Sequence, residues 1–225
     1  VDQSGLKSGA IKLILQPGQA VKGSLLTKIT GSFGKETKIT YGSVRDTGAI
    51  NYGTGNYPNI PNASPDWIVT DVIENNGDGN PQTTYYSYKN NRIHSGTAET
   101  RESLGFEKQV VVNANTGFKE ITLFNQTKPF NGTVSNKTFY NANGNKLSES
   151  DISYTYSTWE NTVFVMQNSV VQKSFEDGNL VTTTAQSFNY DSFGNVVKTI
   201  TSTGSKIETV SSSFSADQTN WILNR

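Results

Sequence analysis

A short phrase recurs in the last third of this 225-residue chain and limits what the chain can fold into. It consists of an aromatic residue, a polar turn, a Gly-Asn pair and then an aliphatic residue. Each copy stands between stretches in which polar and apolar residues alternate, and Gly and Asn tolerate the positive φ of a tight turn. The phrase therefore predicts β-hairpins in series. The three copies are Tyr140-Asn141-Ala142-Asn143-Gly144-Asn145-Lys146-Leu147, Phe175-Glu176-Asp177-Gly178-Asn179-Leu180 and Tyr190-Asp191-Ser192-Phe193-Gly194-Asn195-Val196.

Hairpins in series predict one shared sheet, because a hairpin alone cannot bury its apolar face. No window of the sequence keeps the 3.6-residue period of a helix together with helix caps. We therefore expect an all-β protein with almost no helix, built as an extended, curved antiparallel β-sheet of successive hairpins. The turn glycines Gly144, Gly178, Gly194 and Gly204 are expected to serve backbone conformation.

The same signals place strands along the rest of the chain. Residues 1–24 predict a first strand at 11–15 with loose flanks, and the proline-rich residues 43–66 predict an irregular loop. A hairpin is predicted from Trp67–Ile73, a turn at 74–81 and a return strand at Thr83–Tyr88. The remaining predicted strands are 104–113, 117–124, 133–140, 146–157, 161–175, 179–190, 195–202 and 205–214.

Composition narrows the class of protein. Hydrophobic residues are 33% and aromatic residues 11% of the chain, which fits half-buried sheets. Basic and acidic residues are 19 each, so the zero net charge argues against nucleic acid and anionic membrane as partners. With no cysteine, disulfides and thiolate metal sites are excluded. No apolar run reaches the roughly 20 residues that span a bilayer. The chain starts at Val1 without a signal peptide, so we expect a piece of a longer protein whose export signal lies outside it.

The third copy of the phrase carries a resemblance to a known family. Tyr190-Asp191-Ser192-Phe193-Gly194-Asn195, followed by Thr203-Gly204, is similar to the repeat of the Rhs/YD-repeat family. The copies at Tyr140 and Phe175 are degenerate, since Asn141 and Glu176 stand where the family has Asp.

A second resemblance covers residues of about 25–150. It is similar to the segment that leads into the YD repeats in the B component of bacterial insecticidal toxin complexes and in related polymorphic-toxin shells and virulence proteins. Leu104-Gly105-Phe106 is its most specific part, and Trp221 lies in a phrase that resembles the close of that segment. The chain accordingly divides into a first strand with loose flank (1–24), a β-hairpin segment preceding the YD repeats (25–135) and degenerate YD-repeat hairpins (136–225).

The resemblance implies a function as well as a fold. It implies a non-catalytic structural segment of a large exported bacterial protein, secreted or at the cell surface, that forms part of a β-shell around a polypeptide cargo such as a C-terminal toxin. The implied partners are the remainder of the same polypeptide or a shell partner, and the enclosed toxin, with no catalytic residue, cofactor or metal. No Asp-Pro pair of the kind that the family's autoproteolytic site uses occurs here, so neither cleavage nor a toxin is assigned to this chain.

Two other functions remain open. A cell-surface adhesin or carbohydrate-binding β-domain would use Trp67, Trp159 and Trp221 as a sugar-stacking platform, although a Trp in an alternating strand is more often a packing residue. A β-sandwich glycosidase would use a carboxylate pair such as Glu74 with Glu99 or Glu102 with Glu120, but such pairs also arise by chance.

Three smaller hypotheses concern individual side chains. His94, the one histidine of the sequence, lacks cysteines with which to build a typical zinc site and has no identifiable triad partners. The Asn- and Gly-rich residues 75–80 could hold Ca²⁺, but a solvated turn is favoured because the alternating Asp residues of a calcium loop are missing. Tyr140, Phe175 and Tyr190 could form an aromatic ladder across successive hairpins, or could pack independently.

Overall fold

The chain is nearly all β. The computed structural model describes residues 12–15, 25–50, 55–63, 66–75, 77, 79–96, 101–159 and 162–215. Over these residues the chain forms sixteen β-strands and a short 3-10 helix, Ser32–Gly34. The predicted fold class is confirmed.

The strands are β1 Lys12–Leu15, β2 Leu26–Thr30, β3 Glu36–Ser43, β4 Asn59–Pro61, β5 Trp67–Asn75, β6 Gln82–Lys89, β7 Arg92–Ser95, β8 Arg101–Gly105, β9 Lys108–Asn113, β10 Lys119–Phe124, β11 Val134–Tyr140, β12 Lys146–Trp159, β13 Thr162–Glu176, β14 Asn179–Tyr190, β15 Val196–Thr203 and β16 Lys206–Ser211.

Thirteen strands form one antiparallel sheet, the main sheet, in the order β1-β2-β3-β5-β6-β9-β10-β11-β12-β13-β14-β15-β16. Apart from β4, β7 and β8, the order follows the chain, so each strand pairs with the preceding and the following strand of this sheet, and the two ends of the order do not meet. The predicted array of successive hairpins is confirmed. The boundary proposed after residue 135 lies inside β11, so the main sheet runs without interruption through residues 134–140.

Threonine and serine side chains bond across the long strands of the main sheet. Ser153 on β12 and Ser169 on β13 lie opposite each other, with their hydroxyl oxygens 2.7 Å apart. Thr184 on β14 and Thr203 on β15 form a similar pair at 3.0 Å. Such cross-strand pairs stabilise a sheet that is rich in β-branched and hydroxyl residues rather than in large apolar ones.

Two detours interrupt the meander and build a second, smaller sheet. Residues 44–66 connect β3 to β5, and residues 90–107 connect β6 to β9. Because these strands are antiparallel neighbours, both detours leave from the same end of the main sheet, which we call the detour rim. Strand β4 of the first detour pairs with β7 of the second, and β8 completes a three-stranded small sheet in the order β4-β7-β8.

The core of the described residues lies in these detours. The described hydrophobic side chains that are buried are Val44, Ala49 and Leu104, each at most 2% exposed. Buried Asn91 links the detours, because its N–H donates to Ala49 O at 3.0 Å and its carbonyl accepts from Asn62 N–H at 2.9 Å. By contrast, most residues of the main sheet are half-buried or exposed. Hydrophobic packing is therefore concentrated at one end of the molecule.

The structure corrects two sequence predictions and supports others. The strand predicted over 104–113 is wrong, because Gly105 has φ +73° and ends β8, while β9 begins at Lys108 in the other sheet. Residues 43–66, expected to be irregular, contain β4 and part of the core. The hairpin of β5 and β6 is confirmed, with Ile73 opposite Thr83. Of the first predicted strand, residues 12–15 form β1, and the rest of 1–24 lies outside the described residues.

Candidate functional site

Two copies of the recurring phrase form turns held by one acidic or amide side chain. Asp191 Oδ1 accepts hydrogen bonds from the N–H groups of Phe193 and Asn195, both at 2.9 Å. Asn141 Oδ1 does the same for Asn143 at 3.0 Å and Asn145 at 2.9 Å. The side chain thus satisfies main-chain donors that the turn would otherwise leave without partners, which explains the polar residue after each tyrosine.

The Asp191 turn has an additional polar contact. Asn195 Nδ2 donates to Asp191 Oδ2 at 2.8 Å. This bond, followed by main-chain donors, holds the pKa of the Asp191 carboxyl below its ordinary value of 3.8. The glycine of the turn, Gly194, has φ +84°, as Gly144 does in the Asn141 turn. The two turns therefore share one geometry and differ in the charge of one side chain.

The other two turns are tighter. Asp177 and Gly178 connect β13 to β14 with φ values of +48° and +80°, which is the type I′ hairpin geometry. Gly204 begins a two-residue connection between Thr203 and Lys206, which lie opposite each other in β15 and β16. Both turns lie at the end of the main sheet away from the detours, which we call the opposite rim.

One further turn has the same capping arrangement and was not recognised as related from sequence. Asn113 Oδ1 accepts from Asn115 N–H at 3.0 Å and from Thr116 N–H at 2.9 Å. The shared Asn-Ala-Asn triplet of residues 113–115 and 141–143 is the signal that could have revealed it. Gly117 closes this turn with φ +71°, and it packs on Ala142 of the neighbouring hairpin.

The hypothesis that the aromatic residues of the three copies form a ladder across successive hairpins is wrong. Phe175 pairs with Leu180 at the start of β14, whereas Tyr190 ends that strand. Ten residues of β-strand separate these levels by about 33 Å. Lys119 Nζ lies 4.6 Å from the ring centroid of Tyr140, and Lys146 Nζ lies 5.2 Å from that of Phe175. The aromatic side chains of the first two copies therefore contact lysines rather than one another.

Leu104-Gly105-Phe106 lies where the small sheet joins the main sheet. Leu104 is buried, and Phe106 packs on Tyr88 of β6 with ring centroids 4.9 Å apart. Gln126 Nε2 donates to Gly105 O at 2.8 Å and to Asn90 O at 2.7 Å, so one amide ties the end of β8 to the start of the second detour. The motif is therefore a structural junction.

A cavity of about 290 Å³ adjoins this junction. Its lining includes Tyr88, Phe106 and Phe124 together with Gly105 and Gly132. Burial raises the pKa of the Tyr88 hydroxyl, so this group is neutral at physiological pH. The cavity is largely apolar, and its lining offers few groups for acid–base chemistry.

Charged side chains form a network on the face of β11, β12 and β13. Lys173 Nζ lies 3.0 Å from Asp151 Oδ2 and 3.6 Å from Glu149 Oε2, and Lys146 Nζ lies 3.1 Å from the same glutamate oxygen. Asn136 Nδ2 donates to Asp151 Oδ1 at 2.7 Å, and this bond together with Lys173 lowers the pKa of Asp151. Opposite charges are paired here across β12 and β13, and such partly exposed pairs each contribute little to stability.

Among the residues of the enzymatic hypotheses, His94 on β7 lies opposite Glu102 on β8, whereas Glu120, the partner suggested for Glu102, lies in the other sheet. His94 Nδ1 lies 2.8 Å from Asn59 Oδ1 in the small sheet. Glu102 lies in the small sheet beside Lys128, and Glu120 lies in the main sheet beside Lys137. Glu99, the partner suggested for Glu74, lies outside the described residues.

The remaining candidates are placed as follows. Asn75 Oδ1 accepts from Gly77 N–H at 2.9 Å, as in a side-chain-capped turn, while Asn76 and Asp78 of that loop lie outside the described residues. Trp67 is half-buried at the start of β5, Trp159 ends β12, and Trp221 lies outside the described residues. Over the ranges that the structure describes, no group of three or more His, Asp or Glu side chains could hold a metal ion. Those ranges also contain no helix long and apolar enough to cross a membrane.

Neither a protein-family model nor a curated protein sequence matches this chain. The fold itself defines a class: an antiparallel β-meander of successive hairpins, open at both ends of its strand order, with a small second sheet at one rim. The resemblance to the Rhs/YD-repeat family stays a prediction that rests on the quoted motifs.

Proposed function

We propose that this chain is a non-catalytic structural segment of a large exported protein, and that it forms part of a β-walled shell that encloses another polypeptide. The observation that carries the proposal is the open main sheet, whose long strands bury few side chains on either face. A domain that works alone closes its sheet or covers one face with a second layer. A segment of a larger wall is covered by neighbouring segments and by its contents.

Exposed apolar residues support the need for such a covering. On the last strands of the meander, Val181 is 61% exposed, Ile207 is 70% exposed and Val210 is 55% exposed. Single exposed apolar residues are common on protein surfaces, but these three lie on β14 and β16, the two strands that flank β15 in the main sheet. In the proposed shell they contact the next part of the wall or the enclosed chain.

Strand β16 gives a second line of support. All six of its residues are exposed, and within the part of the chain that the structure describes it pairs with β15 on one side only. An exposed strand edge is a template for another strand, and proteins usually cover it. In the proposed function the covering strand comes from the remainder of the same polypeptide or from a shell partner.

The identity of the shell follows from the sequence resemblance. We infer a wall of the Rhs/YD type, secreted or at the bacterial cell surface, with a toxin polypeptide as cargo. The capping role of Asp191 gives a physical reason for the Tyr-Asp pair in such a repeat, since the carboxylate organises the hairpin turn. The open sheet also favours the shell over the adhesin hypothesis, which expects a closed domain.

Electron cryomicroscopy of the complete gene product that carries this sequence tests the proposal. The expected result is a hollow particle whose wall contains this sheet and whose interior holds polypeptide density. Limited proteolysis of the same particle should spare the interior chain until the wall is denatured. A solid particle without an interior, or an interior chain digested as fast as the wall, would refute enclosure.

A further inference from the structure

A groove lies at the detour rim, where the hairpin of β12 and β13 passes the small sheet. Its volume is about 470 Å³, which falls within the roughly 300–1,000 Å³ typical of small-molecule sites. Three different parts of the chain line it: Glu102 from β8, the loop residues Lys128, Pro129 and Asn131, and Tyr156 and Val163 from the hairpin. The site therefore exists only in the folded chain.

Tyr156 supplies an aromatic surface that is both accessible and fixed. The side chain is 52% exposed. Phe130 packs on it nearly edge-on, with ring centroids 5.8 Å apart and planes 66° apart, and Phe130 also contacts Tyr154 at 6.4 Å. Tyr154 is itself anchored, because its hydroxyl donates to Val134 O at 3.0 Å. An exposed ring that packs on a second ring, which itself packs on a third, loses little conformational freedom when a ligand stacks on it.

Polar groups surround this ring with both donors and acceptors. Lys128 Nζ lies 2.5 Å from Glu102 Oε2 and thereby connects the loop to the small sheet. The hydrogen bond and the charge of Lys128 lower the pKa of the Glu102 carboxyl, which is thus ionised at neutral pH. Asn131 adds an amide with both a donor and an acceptor. The charges of the lining side chains cancel, so the groove has no electrostatic preference for a strongly charged ligand.

We propose that this groove binds a neutral saccharide of one or two rings, with one sugar face stacked on Tyr156 and its hydroxyls bonded to Glu102, Lys128 and Asn131. A sugar ring has an apolar C–H face and a rim of hydroxyls that donate and accept. The groove offers the complement of both, with an aromatic platform and apolar Pro129 and Val163 beside a carboxylate, an ammonium and an amide. This site differs from the tryptophan platform of the adhesin hypothesis and does not depend on the shell function.

The probe is an array of immobilised neutral mono- to tetrasaccharides with glucose, galactose, mannose and N-acetylglucosamine configurations, exposed to the whole chain. We expect wild-type protein to bind at least one member. Tyr156→Ala should lower the apparent affinity for that member by at least tenfold, and Glu102→Gln should lower it several-fold. Tyr156→Phe keeps the ring and should bind within about threefold of wild type, as the ring-stacking contribution is retained.

Phe164→Ala is the matched control. Phe164 lies in the same hairpin, is 42% exposed, and pairs with Ser157, so it projects from the face opposite to Tyr156. Its replacement should leave saccharide binding unchanged. The proposal is overturned by an array without any bound saccharide, by unchanged binding of Tyr156→Ala, or by an equal loss in Phe164→Ala. If Tyr156→Ala lacks the wild-type circular dichroism spectrum, unchanged binding of Glu102→Gln overturns it.

Discussion

Gly117 and Ala142, from neighbouring hairpins of the main sheet, are packed against each other: a methyl group at Gly117 would lie 2.9 Å from Ala142 Cβ. Such a distance is closer than two carbon atoms can approach without displacement. The turns capped by Asn113 and Asn141, which both lie at the opposite rim, therefore also pack on each other. This contact connects local turn geometry to the packing of successive hairpins.

Gly117→Ala tests this contact. The substitution combines a positive-φ strain with a clash, whereas Gly144→Ala has the strain alone, since nothing lies within 4 Å of a methyl group there. We expect Gly117→Ala to lower the free energy of unfolding by about 1–3 kcal/mol more than Gly144→Ala does. Urea denaturation followed by circular dichroism measures both.

Ala142→Gly supplies the rescue for that comparison. In the double variant with Gly117→Ala, the new methyl group at position 117 no longer meets the Cβ of residue 142. The combined loss of unfolding free energy should therefore be smaller than the sum of the two single losses. Strictly additive losses would show that the two turns do not touch.

Gly194→Val should destabilise the protein through its backbone. Gly194 has φ +84° and nothing lies within 4 Å of a Cβ added there, so the expected cost comes from backbone conformation. An L-residue in this region costs about 1–2 kcal/mol, and a β-branched residue more. Gly194→Asn is the control, because Asn tolerates positive φ and should lose clearly less. Equal thermal midpoints for wild type and Gly194→Val would refute the turn assignment.

Acid should weaken the Asp191 turn. The native pKa of this carboxyl lies below its ordinary value of 3.8, so the unfolded chain takes up the proton first. The stabilising contribution is complete above that ordinary value and is lost as the pH falls through the lowered native pKa. Asp191→Asn copies the neutral Asn141 turn, and should show a smaller drop in unfolding free energy between pH 5 and pH 3 than wild type. A drop of the same size in both proteins would show that the loss of stability in acid does not come from protonation of Asp191.

Gln126→Ala should loosen the junction between the two sheets. The amide donates to Gly105 O and Asn90 O, and losing both bonds at a half-buried position costs about 1–3 kcal/mol. Gln172→Ala on the exposed side of β13 is the comparison and should cost far less. Hydrogen exchange should then accelerate at β8 and β9 in the Gln126 variant. Unaltered exchange there would mean that the junction is held by other contacts.

Local features of this fold could be predicted from sequence, and non-local ones could not. The hairpin turns at Gly144, Gly178 and Gly194 follow from residue types that lie within a few positions of one another. The small sheet pairs Asn59 with His94. The residue types around either position do not predict that the two strands pair, because the strands are far apart in the sequence. Pro61 in β4 argued against a strand, but β4 is an edge strand, where proline is tolerated.

The aromatic ladder failed for a related reason. Repetition in sequence shows that the copies at Phe175 and Tyr190 form similar turns, but it does not show at which rim each turn lies. A single strand, β14, separates those two turns, which places them at opposite rims. The proposed saccharide groove was equally hidden, because its lining comes from three distant parts of the chain.

The two detours begin and end at the same rim, and the pairing of β3 with β5 and of β6 with β9 is formed by main-sheet residues on either side of each detour. Lengthening an exposed turn of either detour would therefore leave this pairing unaltered, as long as the core residues Val44, Ala49 and Leu104 keep their packing. The main sheet can therefore stay constant while the exposed parts of the two detours vary. Related chains could diversify what they present at that rim, in size and in chemistry, while the repetitive body of the protein stays the same.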